Sequence, residues 1–180
     1  IVDRLVGSEM CIRDRYSDKD SILYSLGIGL GNDPMNLNEL KYVYENSQSV
    51  LPSMATNFQH HSPLLLKTNI NFIMVVHGEQ RLSITNALPV SGDFIANAKV
   101  IGCYDKGPAR GAIIEVETSV KNKKNNEEIC KLVSTTFARG DGGFGGPDSP
   151  KKEIFIPDGE PDYVSEVSTK PDQALIFRLS

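Results

Sequence analysis

The stretch Asp93-Phe94-Ile95-Ala96-Asn97-Ala98-Lys99-Val100-Ile101-Gly102-Cys103-Tyr104 carries Phe94, Ala96, Ala98 and Val100 at every second position. That period of two is the signature of a strand with one buried face. Downstream, Ala112, Ile114, Val116 and Val120 repeat the pattern, and the polar turn Lys121-Asn122-Lys123-Lys124-Asn125-Asn126 returns the chain to another such run, Ile129 to Phe137. Upstream, Val75-Val76-His77-Gly78-Glu79-Gln80-Arg81-Leu82-Ser83-Ile84 predicts a strand from His77 to Thr85, followed by a turn at Asn86–Gly92. The links have hairpin length. Parallel strands would need crossovers of about a dozen residues or more, so the series reads as an antiparallel meander curved around a short helix.

Composition narrows the class. A chain of 180 residues fits one domain, which buries about two-thirds of its unfolded surface. With 39% hydrophobic residues and a net charge of −4, the basic excess of a nucleic-acid binder is missing. No run of about 18 apolar residues spans a bilayer. Cys11, Cys103 and Cys130 form neither a zinc set nor an even disulfide framework, and a reducing intracellular compartment is the simpler reading.

Ile1 to Arg15 stands apart. Asp3 and Arg4 break its apolar start, so it makes a poor secretory signal. Ser8-Glu9-Met10-Cys11-Ile12-Arg13-Asp14-Arg15 reads like a translated sequencing adapter; residues 1–15 are therefore expected to be a non-native extension, with the fold beginning near Tyr16. Ser17 with Asp20 three positions on forms a capping-box variant ahead of Ile22, Leu23 and Leu26 at helical spacing. Gly27, Gly29, Gly31 and Pro34 then stop this helix. Leu40 to Glu45 (LKYVYE) predicts a strand with Glu45 at its end, either a solvated rim carboxylate or a functional group. Pro52 predicts the first position of a helical turn.

Polar chemistry gathers in few places. His77 is followed by Gly78, whose missing Cβ lets a backbone or ligand approach, and two readings stay open: a structural histidine satisfied by neighbours, or a functional one. The tandem His60-His61 lacks the i, i+4 spacing of two metal ligands on one helical face, and no metal is expected. Gly140, Gly142 and Gly145 fit the GxGxxG spacing. Yet Pro147 and Pro150 follow where a dinucleotide motif needs a helix, so a loose, mobile exit or a tightly turned one, leading into a Pro-rich linker over 147–180, is expected.

Together, Ile22-Leu23-Tyr24-Ser25-Leu26-Gly27-Ile28-Gly29, Tyr42-Val43-Tyr44-Glu45, Leu51-Pro52-Ser53, His77-Gly78-Glu79-Gln80, Leu88-Pro89, Tyr104-Asp105-Lys106-Gly107 and Gly142-Gly143-Phe144-Gly145-Gly146 carry a resemblance. They resemble the N-terminal half of MaoC-like (R)-specific enoyl-CoA hydratases, as in the hydratase part of peroxisomal multifunctional enzyme type 2. The resemblance implies an α+β hot-dog fold over residues 16–146, an antiparallel sheet wrapped on a short or eroded central helix. Residues 147–180 would lead toward a second hot-dog repeat. The implied reaction is hydration of trans-2-enoyl-CoA to (3R)-3-hydroxyacyl-CoA in fatty acid beta-oxidation, which needs a positioned acid/base set beside a donor for the thioester oxygen.

In relatives that set lies in a Gly-Asp-x-Asn-Pro-x-His segment of the second repeat, which this chain does not contain. The resemblance places His77 and Gly78 along the acyl-CoA path, Lys106 at the coenzyme A portion, and Glu45 in support of the active site, either acting chemically or orienting another group. Lys106 as an ordinary solvated turn residue stays open beside it. It implies no cofactor, since the coenzyme A thioester is substrate. The implied partners are acyl-CoA, the second repeat or a second copy as a homodimer, and neither nucleic acid nor membrane. The implied location is the peroxisome in a eukaryote and the cytoplasm otherwise. The reading from another class is a non-catalytic acyl-CoA-binding or scaffold module; in-frame continuation into the missing segment separates the two. A dehydrogenase reading of the glycine run predicts NAD binding.

Overall fold

A computed structural model describes residues 6–59, 64–150 and 156–180. Five strands form one antiparallel sheet: β1 Glu9–Tyr16, β2 Val75–Ile84, β3 Gly92–Asp105, β4 Ala112–Asn122 and β5 Glu128–Ala138, in the order β1-β3-β4-β5-β2. The three long runs of alternating sequence are adjacent, as expected. However, β2 pairs with β5 rather than with its neighbour in sequence, β3. The 85–91 link therefore crosses between opposite sides of the curved sheet instead of closing a hairpin.

Besides a register shift at Ile129 in β5, one-residue bulges in β3 and β2 reverse which face later side chains occupy. In β3, Val100 pairs with Val116 but Gly102 pairs with Glu115, leaving Ile101 as the extra residue. Phe94, Ala96, Ala98 and Val100 point to the core before it; Cys103 and Asp105 do so after it. In β2, His77 pairs with Thr136 and Glu79 with Thr135, so Gly78 is the extra residue. That bulge places His77 on the same face as Leu82 and Ile84, which strict alternation would forbid.

Helix α1 (Asp18–Gly27) starts at the expected capping box: the Ser17 amide donates to Asp20 Oδ2 at 2.7 Å. It lies against α2 (Leu37–Val43) and α3 (Gln173–Phe177) rather than in the hollow of the sheet. The element touching β2, β3 and β5 across the hollow is the 3₁₀ segment Pro52–Gln59, through Met54, Ala55 and Phe58. This short segment is the eroded central helix of a hot-dog fold. Phe58 stacks obliquely on Tyr16 and Phe94 at centroid distances of 5.3 and 4.5 Å, pairings worth about 0.5–1.5 kcal/mol each beyond burial. The buried Tyr16 hydroxyl donates to Pro89 O at 2.6 Å, and burial, with the Cys130 thiol adding, pushes its pKa up to about 12.

Three expectations meet a different structure. Leu40 to Glu45 is not a strand: helix α2 (Leu37–Val43) occupies it, capped by Asn36, whose side chain accepts from the Asn38 amide at 3.1 Å. Glu39 strengthens this start by accepting from Asn36 Nδ2 and the Gly31 amide. Local capping overrides the apparent alternation. The sequence begins the fold at Tyr16, whereas residues 9–16 form β1, paired along Gly92–Lys99 of β3. Main-chain bonding supports this pairing, since Glu9, Cys11 and Arg13–Arg15 remain exposed. The 147–180 segment is not linker throughout: helix α3 (Gln173–Phe177) docks on α1, its Phe177 ring 6.1 Å from Tyr24. Gly27 permits this approach, because a Cβ there would lie 2.8 Å from Phe177 Cα.

Candidate functional site at the Asp105 end of the sheet

The register puts Val75, Ala138, Ala112 and Asp105 in one row across β2, β5, β4 and β3, with His77, Thr136, Ile114 and Cys103 in the row two positions further inward. Beyond this end of the sheet lie the turn 106–111 and the glycine run 140–146. His77 and Lys106 thus share one end of the molecule, separated by three strand spacings, about 14 Å along the sheet. His77 and Gly78 are exposed on the edge strand, and Lys106 is half-buried. A Cβ at Gly78 would come within 3.2 Å of Thr135 O, so the glycine serves the bulge. Glu45 is exposed in the bend after α2. It belongs to the helical layer where α2 packs on α1, away from the Asp105 end. The structure brings His77, Gly78 and Lys106 to one end and leaves Glu45 apart. His60-His61 lies outside the described residues. Among the described residues, no His/Cys/Asp/Glu cluster could hold a metal, and no helix is long and apolar enough to cross a membrane.

The residue that organises this end entered the sequence reading only as a member of the 104–107 motif, with no role of its own. Asp105, buried, accepts at 2.7 Å from each of the Gly107, Gly143 and Gly145 amides. Gly107, Gly143 and Gly145 have φ of +87°, +84° and +78°, the left-handed backbone that turns amides into a concave nest for an anion. The Gly143 amide above all holds the Asp105 carboxyl below the usual carboxylate range; Gly107, Gly145 and Gly146 assist, while desolvation opposes. The glycine run is therefore neither a loose exit nor a nucleotide cradle. Its amides already face an anion supplied by the chain itself.

Around this clamp stands a rim of cations. Arg110 Nε donates to Lys106 O at 3.0 Å, and the Gly111 amide bonds Gly107 O. Gly111 has no room for a Cβ, which would sit 2.6 Å from Arg139 Cα, so the turn rests directly on the Arg139 main chain. Arg139 in turn donates its amide to Met74 O at 3.1 Å. That contact joins the cations to an exposed apolar patch of Phe72, Ile73, Met74 and Val76, next to His77. Arg110 and Arg139 were not singled out by the sequence. Each is a lone arginine at a strand end, and only the strand pairing unites them.

A groove of about 730 Å³ lies elsewhere, between β1, Pro52–Gln59 and α3, walled by Tyr16, Met54, Phe58, Phe94 and Phe177.

Residues 15–140 match the MFE-2 hydratase 2 N-terminal domain. The chain belongs to this family. Its hydratase 2 relatives include the probable enoyl-CoA hydratase 2 of Dictyostelium discoideum, 37% identical over 172 residues, covering 90% of this chain and 56% of that protein. The peroxisomal enoyl-CoA hydratase 2 of Arabidopsis thaliana is 34% identical over 187 residues, covering 93% and 60%. The chain thus spans somewhat more than half the length of these relatives. Among solved structures, a MaoC-like dehydratase from Phytophthora capsici superposes with a TM-score of 0.81 at 26% identity, covering 99% of this chain and 64% of that one. The hydratase 2 domain family and the hot-dog sheet agree with the expectation drawn from the motifs.

Proposed function

We propose that this chain is the acyl-CoA-holding half of a hydro-lyase that adds water across trans-2-enoyl-CoA to yield (3R)-3-hydroxyacyl-CoA. The observation that carries the reading is the joint presence, at one end of the sheet, of three cations and an apolar patch. Lys106, Arg110 and Arg139 offer charge to phosphates, and Phe72, Ile73, Met74 and Val76 offer surface to the apolar part of the same ligand. His77 and Gly78 follow Val76 of the patch directly on the β2 edge. The names of the Dictyostelium and Arabidopsis relatives support the reaction class.

Hydration requires a base for the attacking water and an acid for Cα. The chain has no Gly-Asp-x-Asn-Pro-x-His segment, and the structure leaves Glu45 apart from the cation rim, so the reading assigns binding to this half and proton transfer to a second repeat. Glu45 keeps a supporting role only if that repeat closes over α2. Titration of the purified chain with crotonyl-CoA by calorimetry is expected to show binding, without loss of the conjugated thioester's ultraviolet absorbance above a blank. Absence of binding, or turnover by this chain alone, contradicts the assignment. NAD in the same titration is expected to give a flat response, because the glycine amides are engaged by Asp105.

A further inference from the structure

We propose that Asp105 is the positioning residue of the coenzyme A end of this site, holding the Lys106 turn in its binding shape by fastening the 140–146 strap over it. The inference rests on the acyl-CoA reading above and adds to it the residue through which Lys106 and Arg110 act. Three consecutive residues are pinned. The Asp105 amide donates to Pro147 O and the Lys106 amide to Gly111 O, both at 2.9 Å, while the Gly107 amide donates to the Asp105 carboxylate at 2.7 Å. The same carboxylate reaches across to Gly143 and Gly145, closing the strap against the turn from its other side. Contact is close enough that a Cβ on Gly142 would collide with the carbonyl oxygens of Gly107 and Gly111, and one on Gly143 would meet Pro108 at 3.1 Å.

A carboxylate beside Lys106, Arg110 and Arg139 would ordinarily neutralise one of them. Asp105 instead accepts from main-chain amides, so it shapes the turn while leaving the cations for a phosphate. The inward aim depends on the Ile101 bulge, which turns Asp105 toward the strap. Arg110, through its bond to Lys106 O, moves with the turn that Asp105 holds.

A double-mutant cycle on the full chain tests this, using calorimetric titration with coenzyme A and thermal melts on wild type, Asp105→Asn, Lys106→Ala and the pair. Asp105→Asn keeps the volume but replaces one acceptor with a donor facing an amide. It is expected to weaken coenzyme A roughly tenfold, with the double variant no more than about threefold weaker still, because both changes remove one interaction. Independent, multiplying losses overturn the positioning role, as does unchanged affinity in Asp105→Asn. If Asp105→Asn fails to fold, Asp105→Ser with a melt above the titration temperature replaces it; failure of both to fold makes Asp105 structural and also overturns the proposal. A wild-type chain that ignores coenzyme A refutes the acyl-CoA reading instead, and Asp105's role with it.

Discussion

At the scale of single residues, Asp105 decides more than its position in sequence announces. Its folded-state pKa is depressed by the Gly143 amide first and by Gly107, Gly145 and Gly146 besides. A depressed carboxylate stabilises the fold above its unfolded pKa, near 3.9, and that contribution disappears as pH falls through the lower folded value. Denaturant melts of wild type and Asp105→Asn are therefore expected to differ at neutral pH and to converge in acid, below about pH 4. A stability gap that is independent of pH would assign the difference to packing alone. His77 stands out locally as a histidine before a glycine, whereas Lys106 is reached only through the resemblance of its motif to a family. Asp105 could not be picked out: continuing the alternation of Phe94 to Val100 puts Tyr104 inward and Asp105 outward, and only the Ile101 bulge exchanges them.

At the scale of elements, the glycine strap makes the sharpest prediction. Gly142 has no positive φ, yet a Cβ there would strike the Gly107 and Gly111 carbonyls; at Gly145, with φ +78°, nothing stands within 4 Å. Gly142→Ala thus suffers overlap with main chain, costing about 1–3 kcal/mol or more. Gly145→Ala pays only for the left-handed backbone, about 1–2 kcal/mol. Chemical denaturation is expected to rank Gly142→Ala as the less stable, and the reverse order would mean that strap and turn are not in contact. The same element shows the limit of motif spacing, because GxGxxG here surrounds a carboxylate instead of a pyrophosphate. Conversely, β3, β4 and β5 were readable because each alternates over ten or so residues against a buried face. LKYVYE misled because six residues of mixed polarity satisfy either period, and the deciding signal, Asn36 with Glu39, lay before them.

At the scale of the whole molecule, one run of neighbouring residues stands out among exposed apolar side chains that are otherwise spread over the surface. Ile73 is 91% exposed and Phe72, Met74 and Val76 flank it beside the outer edge of β2, while Ile156, Tyr163, Val164 and Val167 are exposed in the 156–170 segment. Contiguous patches of this kind mark surfaces that associate. Sedimentation velocity is expected to show concentration-dependent self-association of the purified chain, reduced by Ile73→Lys. A strictly monomeric chain at all concentrations would contradict it. The strand order was beyond the sequence, since nothing local tells β2 to pass over β3 and join β5; that choice is made by the hollow filled by Met54, Ala55 and Phe58.

The first strand carries a consequence of another kind. From Glu9 to Tyr16 it meets β3 over eight register positions, while most of its side chains face solvent and Tyr16 alone is buried. Hydrogen bonds between main chains do not read sequence, so the flank of β3 is a generic acceptor, able to take a donated strand from any extended peptide of suitable length. Complementation in trans follows: a chain starting at Tyr16 should be sealed by a separate peptide of residues 8–15 and equally by an unrelated β-forming one.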